Sequence, residues 1–224
     1  NEKEKLFLIH SFAPLWDGNE VWLITVGALT FAAFPTAYAY MFSFLYTPLI
    51  LILFALIIRG VSLEFRSKLS ENWQKSLCDI GLFVGSFIPS LLFGVAFGNL
   101  FKGLPIDEQG YHGSLFSLLN LYGLTVGVLF VITFITHGLL WIAIRNLNSL
   151  KQKALNTANI TWNIEFIIAI LFLVFSAVYT GLYNNFLNFV PLFLVLILCV
   201  ISLIGIKFFI IKQNEYLSFI SSCL

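Results

Sequence analysis

Long runs without a charged side chain constrain this sequence more than any other feature. Asp, Glu, Lys and Arg are absent from four stretches, 21–58, 80–101, 113–144 and 166–206. About 20 apolar residues make a helix long enough to cross the hydrocarbon core of a bilayer, which is about 30 Å thick. Only 10% of the 224 residues are charged and the mean hydropathy is +0.95, whereas soluble domains carry about 25% charged residues. The sequence therefore predicts an all-α polytopic membrane protein and excludes a soluble or disordered chain.

The lengths of these runs predict six transmembrane helices. The second and third runs each provide one span, whereas the first and fourth would be about 57 and 62 Å long as single helices, so each is divided into two. We place the turns at 42–44 and at Asn184-Asn185, where turn-forming residues lie near prolines. The chain is thus interpreted as a single integral membrane region, 1–224, with spans near 17–41, 44–59, 79–101, 119–144, 164–183 and 188–207.

The basic residues support six spans and orient them. With both termini on one side of the membrane, eleven of the twelve Lys and Arg residues lie on that side, and only Lys102 lies on the other. Cytoplasmic loops of membrane proteins are enriched in Lys and Arg, so both ends of the chain are predicted to be cytoplasmic. The net charge of +1 gives no indication of nucleic-acid binding.

Three pairs of glycines four residues apart predict close packing between helices, because small residues let two backbones approach each other in lipid. The pairs are Gly81/Gly85 and Gly94/Gly98 in the third span and Gly123/Gly127 in the fourth.

Two carboxylates, Asp17 and Glu20, stand where the first charge-free run begins, in the segment Trp16-Asp17-Gly18-Asn19-Glu20. On a helix, side chains three residues apart share a face and lie about 5–6 Å apart. One interpretation is structural, with Asp17 as an N-cap and Trp16 as an interfacial anchor. The other is an entry point for protons, because neighbouring carboxylates that are partly desolvated hold a proton more readily. Spacing and composition alone favour the structural interpretation.

Three basic residues, Arg59, Arg66 and Lys68, follow the second predicted span. Their first role is to orient the chain, with Arg59 or Arg66 pairing with Glu64. The alternative is contact with a lipid headgroup or another subunit.

His137 is the one histidine inside a predicted span. A haem, metal or proton-relay role is one interpretation, because polar groups in membrane helices are often functional. A haem held by this chain would need axial ligands at matching depth in the membrane. The other two histidines, His10 and His112, lie in predicted extramembrane parts and cannot provide them. A packing histidine is therefore favoured, and no metal site is predicted. Asn120 and Glu165 lie near predicted span ends and are interpreted as interfacial.

The segment 14–23, Pro-Leu-Trp-Asp-Gly-Asn-Glu-Val-Trp-Leu, resembles the small subunit, subunit II, of cytochrome bd quinol oxidases. The family pattern there is close to Pro, one residue, Trp-Asp-Gly-Asn, one residue, Val-Trp-Leu. Two departures, Leu121 in place of Pro and Glu20 in place of a frequent Gln, leave the resemblance intact. Further motifs of the family follow in order at 31–35, 38–39, 65–68, 97–100, 103–105, 118–120, 123–124 and 136–138.

The resemblance implies a non-haem subunit of a complex that oxidises quinol and reduces dioxygen to water in the bacterial cytoplasmic membrane. Haem b and haem d are then expected in the larger partner subunit, with none bound by this chain alone, although some members hold a structural quinone. The family subunit has eight helices in two four-helix bundles. This chain is therefore expected to lack the first helix and most of the last, as its missing initiator Met and its apolar end at 216–224 also suggest.

The resemblance also implies a cytoplasmic proton path through this subunit. It makes Asp17 the leading proton-path residue and Glu20 a second candidate, with Trp16, Asn19 and His137 in support. Two alternatives stay open: an inert assembly subunit, and a secondary transporter, which would have a broken helix and polar groups converging at the bilayer midplane.

Overall fold

The computed structural model describes residues 2–104, 106–107, 110–111, 115–145, 149–183 and 191–224. Two short antiparallel strands, β1 Ile106–Asp107 and β2 Gly110–Tyr111, pair with each other between the fifth and sixth helices. The helices are α1 Glu2–Phe12, α2 Trp16–Ala33, α3 Pro35–Phe44, α4 Tyr46–Arg66, α5 Asn72–Lys102, α6 Leu115–Leu118, α7 Leu121–Arg145, α8 Ser149–Tyr179, α9 Leu192–Ile211 and α10 Glu215–Cys223.

Five of these helices, α4, α5, α7, α8 and α9, are long and apolar enough to cross a membrane. Large apolar side chains such as Phe83, Ile167 and Leu194 on them are exposed. Exposed apolar surface of this extent suits contact with lipid tails, which have no polar groups to offer. The predicted all-α polytopic membrane fold is therefore confirmed.

Two helices, α5 and α8, begin well before the charge-free runs that predict them. α8 starts at Ser149 and α5 at Asn72, ahead of the predicted starts at 164 and 79. The polar residues that precede each charge-free run continue the helix, since Lys, Gln and Ala are good helix formers. In α8 this extension is also packed, because Leu155 and Ala158 are fully buried against Leu140 of α7.

The first predicted span, 17–41, is divided in the structure. α2 ends at Ala33, Phe34 adopts the non-helical angles φ −136° and ψ 61°, and Pro35 begins α3. Proline has no N–H for the helix ladder, and its ring disfavours helical angles at the residue before it. The proline therefore accounts for a break that the charge pattern does not reveal.

The turn predicted at 42–44 lies one residue too early. α3 continues to Phe44, and the chain leaves helical geometry at Leu45 before α4 begins. The turn predicted at Asn184-Asn185 and the extramembrane His112 lie outside the described residues.

Glycines bring α5 into backbone contact with α4 and α7. A Cβ atom on Gly85 would lie 2.6 Å from the carbonyl oxygen of Ala55 in α4, and one on Gly94 would lie 2.6 Å from that of Val126 in α7. Only glycine leaves enough room for backbones this close, as at other small-residue interfaces in membranes. The close packing predicted from the glycine pairs is confirmed.

A buried amide reinforces the far end of α5. Asn99 Nδ2 donates to the carbonyl oxygens of Val95, at 2.8 Å, and Leu118, at 2.7 Å, and Asn99 Oδ1 accepts from Asn120 Nδ2 at 2.7 Å. Asn120 thus links the start of α7 to α5, and its interfacial position stays a prediction.

Ion pairs join the helices at the opposite end. Arg66, the last residue of α4, contacts Asp79 of α5 at 2.5 Å and Glu2 of α1 at 3.0 Å. Lys5 of α1 also contacts Asp79, at 2.7 Å. This set of pairs, which we call the charged end, is consistent with the uneven distribution of basic residues, whereas the cytoplasmic orientation of the termini stays a prediction.

Two further ion pairs connect α8 to its neighbours at the charged end. Lys153 contacts Glu4 of α1 and Lys151 contacts Glu215 of α10, both at 2.7 Å. The hydrogen bond from Lys151 lowers the pKa of the Glu215 carboxyl below its ordinary value. A carboxyl with a lowered folded-state pKa contributes stability above its unfolded-state pKa and loses it as the pH falls through the folded value.

Replacing Gly94 with Ala should destabilise the protein by about 1–3 kcal/mol, because the added methyl group overlaps the Val126 carbonyl. Gly138→Ala in α7 is the matched control, since nothing lies within 4 Å of a Cβ atom there and Ala is the better helix former. Thermal unfolding of the purified full-length protein measures both. Equal losses in the two variants would contradict the packing argument.

Glu215→Gln should lower stability at pH 7 by about 1 kcal/mol, and this difference from wild type should vanish at acid pH, where the carboxyl is protonated in both states. Unfolding temperatures recorded across the acid range test this. Glu4→Gln serves as the comparison and should have the smaller effect, because its partner Lys153 is mostly exposed. A loss that does not change with pH would show that Glu215 acts through packing alone.

Candidate functional site

The two carboxylates predicted as an entry point for protons, Asp17 and Glu20, lie at the start of α2, and we call this pair the acidic mouth. Trp16 is the first helical residue, Leu15 occupies the N-cap position, and no side chain caps the helix. The N-cap role interpreted for Asp17 is therefore wrong, because Asp17 lies inside the helix. A negative charge in this first turn still interacts favourably with the helix dipole.

Asp17 is solvent-exposed. Within the described part of the chain its carboxylate has neither a hydrogen-bond donor nor a basic partner. Asn19, two residues further along α2, is exposed as well.

Glu20 has a different environment. Its Oε1 accepts a hydrogen bond from Arg59 Nη2 of α4 at 2.9 Å, and the two side chains are only 21% and 23% exposed. The guanidinium Nε of Arg59 is buried and has no partner among the described residues. The pair joins α2 to α4, so Arg59 compensates the charge of Glu20 and Asp17 is left as the unpaired carboxylate.

Trp16 packs against the backbone of α4. A Cβ atom on Gly60 would lie 3.2 Å from the Trp16 ring, so glycine permits this contact. Trp16, Glu20 and Glu64 also line a groove between α2 and α4. The groove has a volume of about 430 Å³ and its other walls are largely apolar. Trp16 therefore positions the first turn of α2, and Asp17 with it, against α4.

The basic residues after the second span have separate roles. The Arg66 side chain is 3% exposed and pairs with Asp79 and Glu2, and its contact with lipid or another subunit stays a prediction. Lys68 is 64% exposed and lies 3.9 Å from Glu64. Glu64 is thus the neighbour of Lys68, and not of Arg59 or Arg66 as predicted.

His137 lies in α7 and contacts α10. Its Nδ1 forms a hydrogen bond of 2.8 Å with Ser222 Oγ, and its ring lies 4.8 Å from that of Phe219 between centroids. These contacts suit a packing histidine and do not bring it to the acidic mouth. Among the described residues there is no group of three or more His, Cys, Asp and Glu side chains that could hold a metal ion.

The structure also buries a carboxyl group, that of Glu165, for which the sequence predicts a position at the membrane interface. Glu165 is 5% exposed, and its Oε1 accepts a hydrogen bond from Thr133 of α7 at 3.0 Å. Glu165 directly precedes the charge-free run 166–206, so the sequence places it at the start of the predicted span 164–183. The recurrence of Thr161 and Glu165 at helical spacing is the signal that could have placed it inside α8.

Breaking the Glu20–Arg59 pair from one side should destabilise the protein by about 1–2 kcal/mol, because a half-buried charge is left without its partner. The double variant Glu20→Gln, Arg59→Met should be closer to wild type than the sum of the single variants. Chemical denaturation of all four proteins gives the coupling energy. Strict additivity would contradict the pairing.

Comparison with known proteins agrees with the motifs at the acidic mouth. The family described as "Cytochrome bd terminal oxidase subunit II" matches residues 1–224. The chain is 44% identical over 165 residues to "Cytochrome bd-I ubiquinol oxidase subunit 2" of Escherichia coli K12, covering 71% of this chain and 44% of that protein. It is 42% identical over 164 residues to "Probable cytochrome oxidase subunit 2" of Haemophilus influenzae, covering 71% and 43%.

A third relative is similar to this chain to a comparable degree. "Cytochrome bd ubiquinol oxidase subunit 2" of Bacillus subtilis is 39% identical over 169 residues, covering 75% of this chain and 50% of that protein. The chain thus spans about half or less of the length of these relatives. Since the family matches the whole chain, the resemblance noted in the sequence is confirmed: this chain belongs to the cytochrome bd terminal oxidase subunit II family.

Proposed function

We propose that this chain forms part of the non-haem subunit of a bd-type terminal oxidase, a complex that oxidises quinol and reduces dioxygen to water. Haem b and haem d are then carried by a larger partner subunit and supply the electron transfer and oxygen chemistry there. The chain's own tasks are to support that partner in the membrane and to admit protons from the cytoplasm.

The surface of α2 supports a role beside a partner. None of its residues is buried within this chain, and Trp22, Ile24 and Phe31 are more than 60% exposed. α2 is nevertheless fixed at its first turn by Trp16 and the Glu20–Arg59 pair. A helix that is anchored at one end and apolar on all sides suits packing against the helices of another membrane subunit.

The observation that carries the proton-entry role is the contrast between the two carboxylates of the mouth. Glu20 is held by Arg59, whereas Asp17, in the same turn, is exposed and unpaired among the described residues. Reduction of dioxygen to water consumes protons, and a carboxylate at the charged end can collect them from the aqueous phase. Asp17 is therefore the proton acceptor, Glu20 holds the mouth to α4, and Trp16 positions both.

A secondary transporter would also have a broken helix and a midplane polar group. Here the break at Phe34 lies between α2 and α3, whereas Glu165 lies between α7 and α8. The two features pack against different helices and do not form one site. Together with family membership, this favours the oxidase subunit.

Asp17→Asn in the full-length complex should lower quinol-oxidase turnover and proton uptake by about tenfold or more, because the amide has no exchangeable acid proton. Turnover is followed as oxygen consumption and proton uptake with a pH indicator. Asp17→Glu should retain much of the activity. Glu71→Gln is the matched control, since Glu71 is an exposed acid just before α5 that does not line the groove between α2 and α4.

Normal turnover in Asp17→Asn would leave the inert assembly subunit as the better interpretation. The partner is tested by purifying the full-length chain from native membranes. A larger haem-containing subunit with a haem d spectrum should accompany it. A lone chain that moves a solute across liposome membranes would overturn the proposal in favour of a transporter.

A further inference from the structure

Glu165 lies at the centre of the membrane-spanning bundle. It is the seventeenth of the 31 residues of α8, and its partner Thr133 is the middle residue of the 25 in α7. At 1.5 Å per residue, Thr133 is about 18 Å from either end of its helix. The hydrogen bond between Thr133 Oγ1 and Glu165 Oε1, at 3.0 Å, therefore places the carboxyl group at mid-height of α7, a helix long and apolar enough to cross a membrane.

The surroundings of this carboxyl group are polar but uncharged. Thr136 lies one turn from Thr133 on α7. Its Oγ1 is 3.0 Å from the carbonyl oxygen of Ile132 and 3.1 Å from Oγ1 of Thr161, both within hydrogen-bond distance. The second carboxyl oxygen, Glu165 Oε2, is buried and has no hydrogen-bond partner among the described residues. One oxygen is therefore engaged and the other is open.

The titratable groups on the neighbouring helices are engaged elsewhere. On α7, His137 is bonded to Ser222 of α10 at 2.8 Å. On α9, Lys207 Nζ is held by Asn159 at 2.5 Å and Asn163 at 2.7 Å, 4.8 Å above the centre of the Trp162 ring. These amides lie on another face of α8 from Glu165, so within the described residues no cation pairs with the carboxyl.

We propose that Glu165 is an intramembrane proton-binding site: a carboxylic acid that holds its proton at neutral pH and exchanges it through Oε2. Transfer of an ionised carboxylate into an apolar interior without a counter-charge is far more costly than transfer of the neutral acid. Ionisable residues at this depth are expensive to keep and mark sites of function. The site lies between α7 and α8, so it is independent of Asp17 and of the proton-entry role proposed for it.

Infrared spectroscopy of the full-length complex in lipid tests the protonation directly. At pH 7 the wild type should show the carbonyl stretching band of a protonated carboxylic acid, and Glu165→Gln should lack that one band. In D2O the band should shift, because the acid proton exchanges. Glu71→Gln is the matched control, since Glu71 is an exposed acid just before α5, and it should leave the band unchanged.

A second variant keeps the test decisive if Glu165→Gln does not assemble. Thr133→Val removes the hydrogen bond to Oε1 with little change in shape, so the acid band should move to higher wavenumber. An unchanged band in Thr133→Val would overturn the assignment to Glu165. So would a wild-type spectrum at pH 7 without an acid band, or a band that does not shift in D2O.

A metal cation is the competing occupant, because the carboxylate and three threonine hydroxyls are oxygen ligands. Titration with Na⁺ and with K⁺ at constant pH separates the two. The acid band should be insensitive to both ions. Loss of the band on addition of either ion would overturn the proton site in favour of a cation site.

Discussion

Direct backbone contact between helices is the constraint on which this structure depends. In lipid there is no hydrophobic force to bring helices together, so van der Waals contact between close backbones has to do so. α5 meets α4 at Gly85 and α7 at Gly94, each at a distance that a Cβ atom would prevent. α5 is therefore the central helix of the first part of the chain, and the positions of the acidic mouth and of α7 follow from it.

The charged end completes what the glycines begin, and it uses most of its charges in doing so. Arg66, Asp79 and Glu2 neutralise one another across three helices, and Arg59 neutralises Glu20. This pattern leaves the two neighbouring acids of α2 in different environments. Asp17 differs from Glu20 in having no described partner, which is a property that only the three-dimensional arrangement reveals.

The fold class, the glycine interfaces and the acidic mouth could all be predicted from sequence, because each depends on composition or on short spacing. The helix ends could not, since a charge-free run shows where charged side chains are absent and not where backbone hydrogen bonding stops, as Ser149 of α8 illustrates. The partners of Arg59, Arg66 and Glu165 depend on contacts between distant segments. For Glu165 in particular, the sequence indicates only its place near the end of a predicted span and not the contact with Thr133 of α7.

The pair between Glu4 and Lys153 spans 149 positions of sequence. A ribosome adds residues one at a time, so α1 leaves the exit tunnel long before its lysine partner has been translated. Glu2 and Lys5 of the same helix can meet Arg66 of α4 and Asp79 of α5 as soon as those helices have formed. The contact of α1 with α8 is therefore completed later in biogenesis than its contacts with α4 and α5.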